Sequence, residues 1–385
     1  MTKQTYIRVG GVWRLMTNVW VRAGGVWRPQ TMPYVRVGGI WRECMQYEEF
    51  MLWGWGSNGF GRNGTGDNRD YPHQVGTDTN WMVAVLGETH ALGVKKNGTL
   101  WGWGENPLGS NGTGADRDTP HQVGEDNDWQ EITAGWVHSI AIKSDGTLWG
   151  WGSNGYGQNG TGANRNAPHQ VGTDTDWKMV SAGHTYTMGI KTDGTLWGWG
   201  RNSRGANGTG AQRSSPTQVG SDTDWASVSA GFQHTQAVKT DGTLWGWGSV
   251  TYDQNGTGEE RSTPHQVGED DDWVLVNAGF EHSQAIKTNG TLWGWGRNRN
   301  GANGTGAQRS SPHQVGEDDD WVLVNAGTDH TLGVKDDRTL WGWGGNSAGQ
   351  NGTGGARSAP HQVGEDDNWV HVYAGHYTSF GITED

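Results

Sequence analysis

The chain has 385 residues, with 67 glycines, 26 tryptophans, only 10 prolines and a net charge of −13. Glycine in excess without a three-residue period, joined to excess aromatic rings, excludes collagen and helical folds and points to many short strands and tight turns. The charge is unevenly divided: residues 1–49 carry +4 and the remainder −17, the wrong sign for a nucleic-acid backbone as the main partner of the larger part.

The single cysteine, Cys44, leaves no disulfide framework within the chain. No apolar leader opens the sequence and no stretch of about eighteen apolar residues occurs, so we expect a soluble protein with no cleaved signal and no membrane span.

Residues 1–49 contain a short repeat. Gly10-Gly11, Gly24-Gly25 and Gly38-Gly39 are 14 residues apart, and so are Trp13, Trp27 and Trp41. Each unit reads as a hairpin with a two-residue loop. That register sets Arg8 opposite Trp13, Arg22 opposite Trp27 and Arg36 opposite Trp41, pairs suited to cation–π contact. A lone hairpin is marginal in water, so the arm is expected to need a partner surface. Units such as Val-Arg-Val-Gly-Gly-Ile-Trp-Arg resemble short modules of bacteriophage tail and virion proteins. That resemblance implies attachment of residues 1–49 to other virion proteins.

From residue 50 a longer repeat takes over. Leu-Trp-Gly-Trp-Gly begins at Leu52, Leu100, Leu148, Leu196, Leu244, Leu292 and Leu340, always 48 apart. Seven repeats of about four strands each predict a seven-bladed β-propeller over residues 50–385, an all-β fold. Asp-Gly and Asn-Gly pairs at Asn97, Asp145, Asp193, Asp241 and Asn289 read as type I′ hairpin turns. Asp337-Arg338 departs, at a cost of about 1 kcal/mol if the left-handed conformation is kept. The chain ends on the first residue of such a turn and the ring begins on the second. The last strand, Thr378–Thr383, is therefore expected to pair with Phe50–Gly56 and close the ring.

Segments such as Ala134-Gly135-Trp136-Val137-His138-Ser139 and Asp145-Gly146-Thr147-Leu148-Trp149-Gly150-Trp151-Gly152 resemble regulator of chromosome condensation repeats of the bacterial and phage type. The resemblance implies the same seven-bladed fold. It leaves function open, because that family is diverse.

Comparison of the repeats separates framework from variation. The pair after Ala-Gly varies most, and with neighbouring positions it supplies a candidate protein- or glycan-binding face: Trp136, Val137, His184, Tyr186, Phe232, Gln233, Phe280, Glu281, His376 and Tyr377. A second variable stretch follows Trp-Gly-Trp-Gly, at Leu108, Tyr156, Arg204, Tyr252, Asn300 and Ala348 among others.

His90, His138, His234, His282 and His330 repeat at the blade step, but Tyr186 and Thr378 take the same place elsewhere. A buried residue bonded to the backbone therefore explains them better than a metal ring. The set after proline, His73, His121, His169, His265, His313 and His361, also reads as structural. Acidic loops such as Glu269–Asp272 and Glu317–Asp320 read as a solvated rim paired with the repeated arginines rather than as calcium sites. The Asn-Gly-Thr sequons carry little weight in a chain without a leader.

No catalytic set, cofactor motif or metal motif emerges. We therefore expect a non-enzymatic phage virion or tail-associated protein. Its propeller would bind a host surface protein or glycan, or contact the particle; whether it also self-associates stays open. The alternatives are a soluble bacterial protein-binding propeller, cytoplasmic and similar to propeller-type β-lactamase inhibitors, and a guanine-nucleotide exchange factor. The last is disfavoured because every repeat keeps 48 residues, with no inserted wedge.

Overall fold

Each 48-residue repeat supplies four antiparallel strands, and seven such sheets form the ring. The computed structural model describes residues 49–384, together with the strands at 5–9, 12–16, 19–23, 26–30, 34–37 and 40–43. Two units divide the chain, Met1–Glu48 and Glu49–Asp385. In the first, three hairpins pair Arg8 with Trp13, Arg22 with Trp27 and Arg36 with Trp41 in register. The cation–π contacts expected of those pairs concern side chains outside the described residues.

We number the blades by their first, innermost strands: Trp81–Leu86, Trp129–Ala134, Trp177–Ala182, Trp225–Ala230, Trp273–Ala278, Trp321–Ala326 and Trp369–Ala374. The seventh sheet joins both ends of the ring. Thr378–Glu384 pairs with Phe50–Gly56, from Thr378 opposite Gly56 to Glu384 opposite Phe50. Closure thus falls where the 48-residue step placed it. The outermost strands, Arg69–Gln74 and its equivalents, carry a central proline that blunts the free sheet edge. The histidines after that proline are exposed there.

The core is built of tryptophan. Trp129 packs edge-on against Trp149 and Trp151, with ring centroids 5.7 and 6.3 Å away, and the other blades follow suit. Such rings bury large areas, which is how a chain with 32% hydrophobic residues still fills seven cores. Glycine alternates with them because the backbone passes close by: a Cβ on Gly150 would lie 2.0 Å from Asn159 O.

Asn159 is itself fully buried. Its amide donates to Gly152 O and Ala163 O and accepts from Thr161, so the Asn-Gly-Thr triplet braces a loop. A buried asparagine cannot receive a glycan.

Two readings of the repeat are corrected. The hairpins are not type I′: only the glycine has positive φ (+78° at Gly194), while Gly194 N donates to Lys191 O and Lys191 N to Thr195 O. This is a three-residue loop, a type I turn closed by a glycine bulge. Arg338 keeps the left-handed conformation, with φ at +66°. Its guanidinium lies 2.6 Å from Glu384.

The acidic loops, in turn, pair with lysines rather than arginines. Lys143 Nζ lies 2.7 and 3.0 Å from Asp126 and Asp128, and 4.7 and 4.6 Å from the Trp129 and Trp149 ring centroids. Lys191, Lys239, Lys287 and Lys335 repeat the arrangement, and Lys95 holds Asp78.

Blades are joined by a relay through the repeated histidines. His90 Nε2 lies 2.7 Å from Ser139 Oγ in the next blade, and that hydroxyl donates to Ser110 O. Having spent its proton, the hydroxyl can only accept, so Nε2 is the donor, and the buried Nδ1, which has no partner, is the unprotonated nitrogen of a neutral ring. The pattern recurs from His138 to Thr187, His234 to Ser283, His282 to Thr331 and His330 to Ser379. The histidines thus reach the backbone through a hydroxyl, not directly. Thr378 faces Ala91 in this series, so imidazole and hydroxyl are replaced at one seam together.

Burial holds all five imidazoles down at about 3. The unfolded chain binds protons below pH 6.5 that the fold refuses. Their contribution is therefore complete above pH 6.5 and lost as pH falls toward 3, each costing about 2 kcal/mol at pH 5. His138→Tyr, copying Tyr186, is expected to lose less stability between pH 7.5 and 5 than the parent chain, by about 2 kcal/mol in urea titrations. An unchanged pH dependence would refute the relay's neutral imidazole. Gly194→Ala should lose at least about 1–2 kcal/mol in the same assay, since its Cβ would lie 2.1 Å from Thr223 O.

Candidate functional site

The first strand of each blade leaves one edge facing the axis, so seven of them wall a central channel. A cavity of about 380 Å³ opens there, and the pair after Ala-Gly forms its mouth: Glu88, Trp136, His184, Phe232, Phe280, Thr328 and His376. These residues are held from blade to blade by backbone bonds, such as His184 N to Gly231 O and Phe280 N to Gly327 O. The mouth is thereby preorganised.

Its halves differ. Trp136 stacks on His184 at 3.8 Å between centroids, His184 meets Phe232 edge-on at 4.5 Å, and Phe232 stacks on Phe280 at 3.9 Å. Burial and the neighbouring Arg201 hold His184 at about 4 despite Glu88, so it serves as a neutral ring at pH 7. The result is an unbroken aromatic arc across blades two to five, from which Trp136 projects 40% exposed. Across the mouth the arc gives way to Thr328 and to a His376–Glu88 pair, with Nδ1 and Oε1 2.5 Å apart.

Most candidate residues gather here. Val137, Gln233, Glu281 and Tyr377 stand half-buried just outside the arc. Glu281 is held by Arg297 at 2.5 Å, and Gln233 donates to Ser203. The second variable stretch lies on the same face, where Tyr156 and Tyr252 stack under Arg201 and Arg297, and Leu108 is 50% exposed. Tyr186 does not belong to this surface. It is buried between blades in the histidine position, its hydroxyl donating to His234 O beside Thr235 Oγ1, so it cannot touch a ligand.

The channel wall is a feature that sequence reading passed over. Thr133, Ser181, Ser229, Asn277 and Asn325 each accept from an alanine N–H of the following blade. Glu131 accepts from Val180 N, and burial raises its carboxyl to about 7 despite that bond. The signal was present as variation at positions 131 and 133 of the 48-residue step, inside strands rather than loops. Among the described residues, no group of three or more His, Cys, Asp or Glu is placed to hold a metal.

A carboxyl raised in the fold opposes folding once the unfolded chain ionises. Glu131→Gln should therefore leave stability unchanged near pH 4 and raise it progressively between pH 4.5 and 7, reaching roughly 2–3 kcal/mol. Urea melts at several pH values test this; a gain independent of pH would contradict it.

Comparison with known families matches the regulator of chromosome condensation (RCC1) repeat at residues 129–158, 178–206, 225–254, 273–302 and 321–350. A second description of the same repeat matches 145–190, 193–238 and 289–334. A search of curated protein sequences finds no match.

Among solved structures, the chain is similar to Prp20p of Saccharomyces cerevisiae, at 17% identity over 88% of this chain and 92% of that one, with a TM-score of 0.78. It is also similar to human WBSCR16, at 19% identity over 88% and 100%, with a TM-score of 0.79. At such identities these likenesses speak for the fold alone. Taken together, the repeat matches span more than half of the sequence and recur close to the 48-residue step, and the chain belongs to the regulator of chromosome condensation (RCC1) repeat family.

Proposed function

We propose that the propeller is a non-catalytic binding module that grips a protein partner with the aromatic arc at its channel mouth. The observation carrying this reading is the arc itself: four consecutive rings, held by backbone bonds, at positions where the blades otherwise vary freely. Rigid aromatic side chains give large contact area at low entropy cost, and truncating such anchors costs most of the affinity in an interface. Prp20p, whose fold this chain shares, is described with its binding to Gsp1p and histones, which supports a protein as the class of partner.

For the setting we infer a bacteriophage particle. The Gly-Gly hairpins of residues 1–49 resemble tail and virion modules, and the Arg–Trp register they require is the one the backbone adopts. In this reading residues 1–49 attach to other virion proteins and the propeller meets a host surface protein or glycan. A soluble bacterial binding propeller uses the same face without the particle. Guanine-nucleotide exchange has weaker support, since all seven repeats keep 48 residues.

Immunogold microscopy with antibodies against residues 50–385 should label particles at one site; particles without label would overturn the virion setting. Trp136→Ala, Phe232→Ala and Phe280→Ala combined should weaken partner capture by the full chain about 100-fold or more while leaving the melting temperature nearly unchanged. Retention of every partner by that triple variant would show that the arc is not the binding face.

A further inference from the structure

The opposite mouth of the channel has its own asymmetry. The residue after each inner-strand tryptophan turns outward there: Met82, Gln130, Lys178, Ala226, Val274, Val322 and Val370 in blade order. Val274 and Val322 are 54% and 47% exposed and Met82 is 37% exposed, while Val370 between them is half-buried. Consecutive blades five, six, seven and one therefore carry apolar side chains at this position, Val370 partly packed against the blade-one core, whereas blades two and three present Gln130 and Lys178.

The loops leading into these strands vary in step. Blades five and six have four carboxylates each, Glu269–Asp272 and Glu317–Asp320; blade seven has three, Glu365, Asp366 and Asp367, and so does blade two, with Glu125, Asp126 and Asp128; blades three and four have two and blade one has one. Each loop in blades five and six is met by one lysine, Lys287 or Lys335. In blade seven Thr383 stands in the lysine's place and accepts from Trp53 Nε1 instead. Apolar exposure and the largest surplus of negative charge thus coincide on blades five, six and seven; blade one adds the exposed Met82 with a single carboxylate, and blade two has three carboxylates beside the polar Gln130. Neither is required by the core, since blades three and four fold without them.

We propose that this face is a second docking surface, separate from the aromatic arc, and that its occupant is a basic amphipathic segment of a partner protein. Its apolar side covers Val274, Val322, Val370 and Met82, and its lysines or arginines meet the acidic loops. Charge complementarity selects that occupant: two copies of this face would set carboxylates against carboxylates, and an anionic lipid surface would be repelled for the same reason.

The test uses the full chain and three synthetic peptides followed by fluorescence anisotropy. One repeats Leu-Lys-Lys-Leu, one replaces lysine with glutamate, and one replaces leucine with serine. The first should bind, the second should not, and the third should bind at least about tenfold more weakly, as should the first to a Val274→Asp, Val322→Asp variant. The Trp136→Ala, Phe232→Ala, Phe280→Ala variant should bind the first peptide like the parent chain, which separates this surface from the arc. Equal binding of the leucine and serine peptides, an unaffected valine variant, or loss of binding in the arc variant would each overturn the proposal. Circular dichroism melts confirm that the variants are folded.

Discussion

The ring depends on one repeated interaction, the buried relay from an imidazole to the hydroxyl of the next blade and on to a loop carbonyl. His138 Nε2, Thr187 Oγ1 and Gln158 O form one such chain, with separations of 3.0 and 2.9 Å. The Nε2–H donor, the hydroxyl and the carbonyl are removed from water and satisfy one another, so the relay leaves no buried donor orphaned, although His138 Nδ1 remains an acceptor without a partner. Because every link crosses a blade boundary, it sets the rotation from one blade to the next. That rotation decides whether seven blades close.

The departures from the relay are informative because they are compensated. Tyr186 stands in the imidazole's place with a phenol that donates to the backbone at His234 O and lies 2.9 Å from Thr235 Oγ1. Thr378 turns its hydroxyl to Ser57 O, and the neighbouring blade answers with Ala91, while the Phe380 ring meets Trp103 at 5.5 Å. The seam thus exchanges a polar contact for an apolar one, as cores tolerate when both partners change. It lies between blade one and the blade assembled from both chain ends.

With the frame held this way, the most variable loop residues fall at places the frame does not need. The two channel mouths differ chemically, one aromatic and partly polar, the other apolar and acidic. Both patterns run over part of the ring only. A propeller of identical blades would present sevenfold surfaces; this one has broken that symmetry on each face.

Much of this was legible beforehand. The 48-residue step set blade number, blade length and the pairing of Thr378 with Gly56, because each repeat buries the same faces and must do so against a neighbour. The variable pairs after Ala-Gly were legible as a face, since loops at equivalent positions of a ring share one side. Tyr186 was misplaced there: it directly follows Thr185 and opens the next strand, so its ring turns into the blade interface. The partner of the acidic loops was misread because Lys143 lies 17 residues from Asp126 and is buried beneath two tryptophans, whereas the arginines are nearer in the sequence and look more available.

What the sequence by itself determined is the periodic part: strands, glycine turns, blade count and closure, all consequences of local pattern repeated at a constant interval. Only the tertiary structure decided which variable side chains meet. His90 and Ser139, or Glu131 and Val180, are 49 residues apart and touch because adjacent blades are turned by one fixed angle. The aromatic arc exists for the same reason: Trp136, His184, Phe232 and Phe280 are four separate loop residues in the chain and become one surface once the ring brings them around its axis.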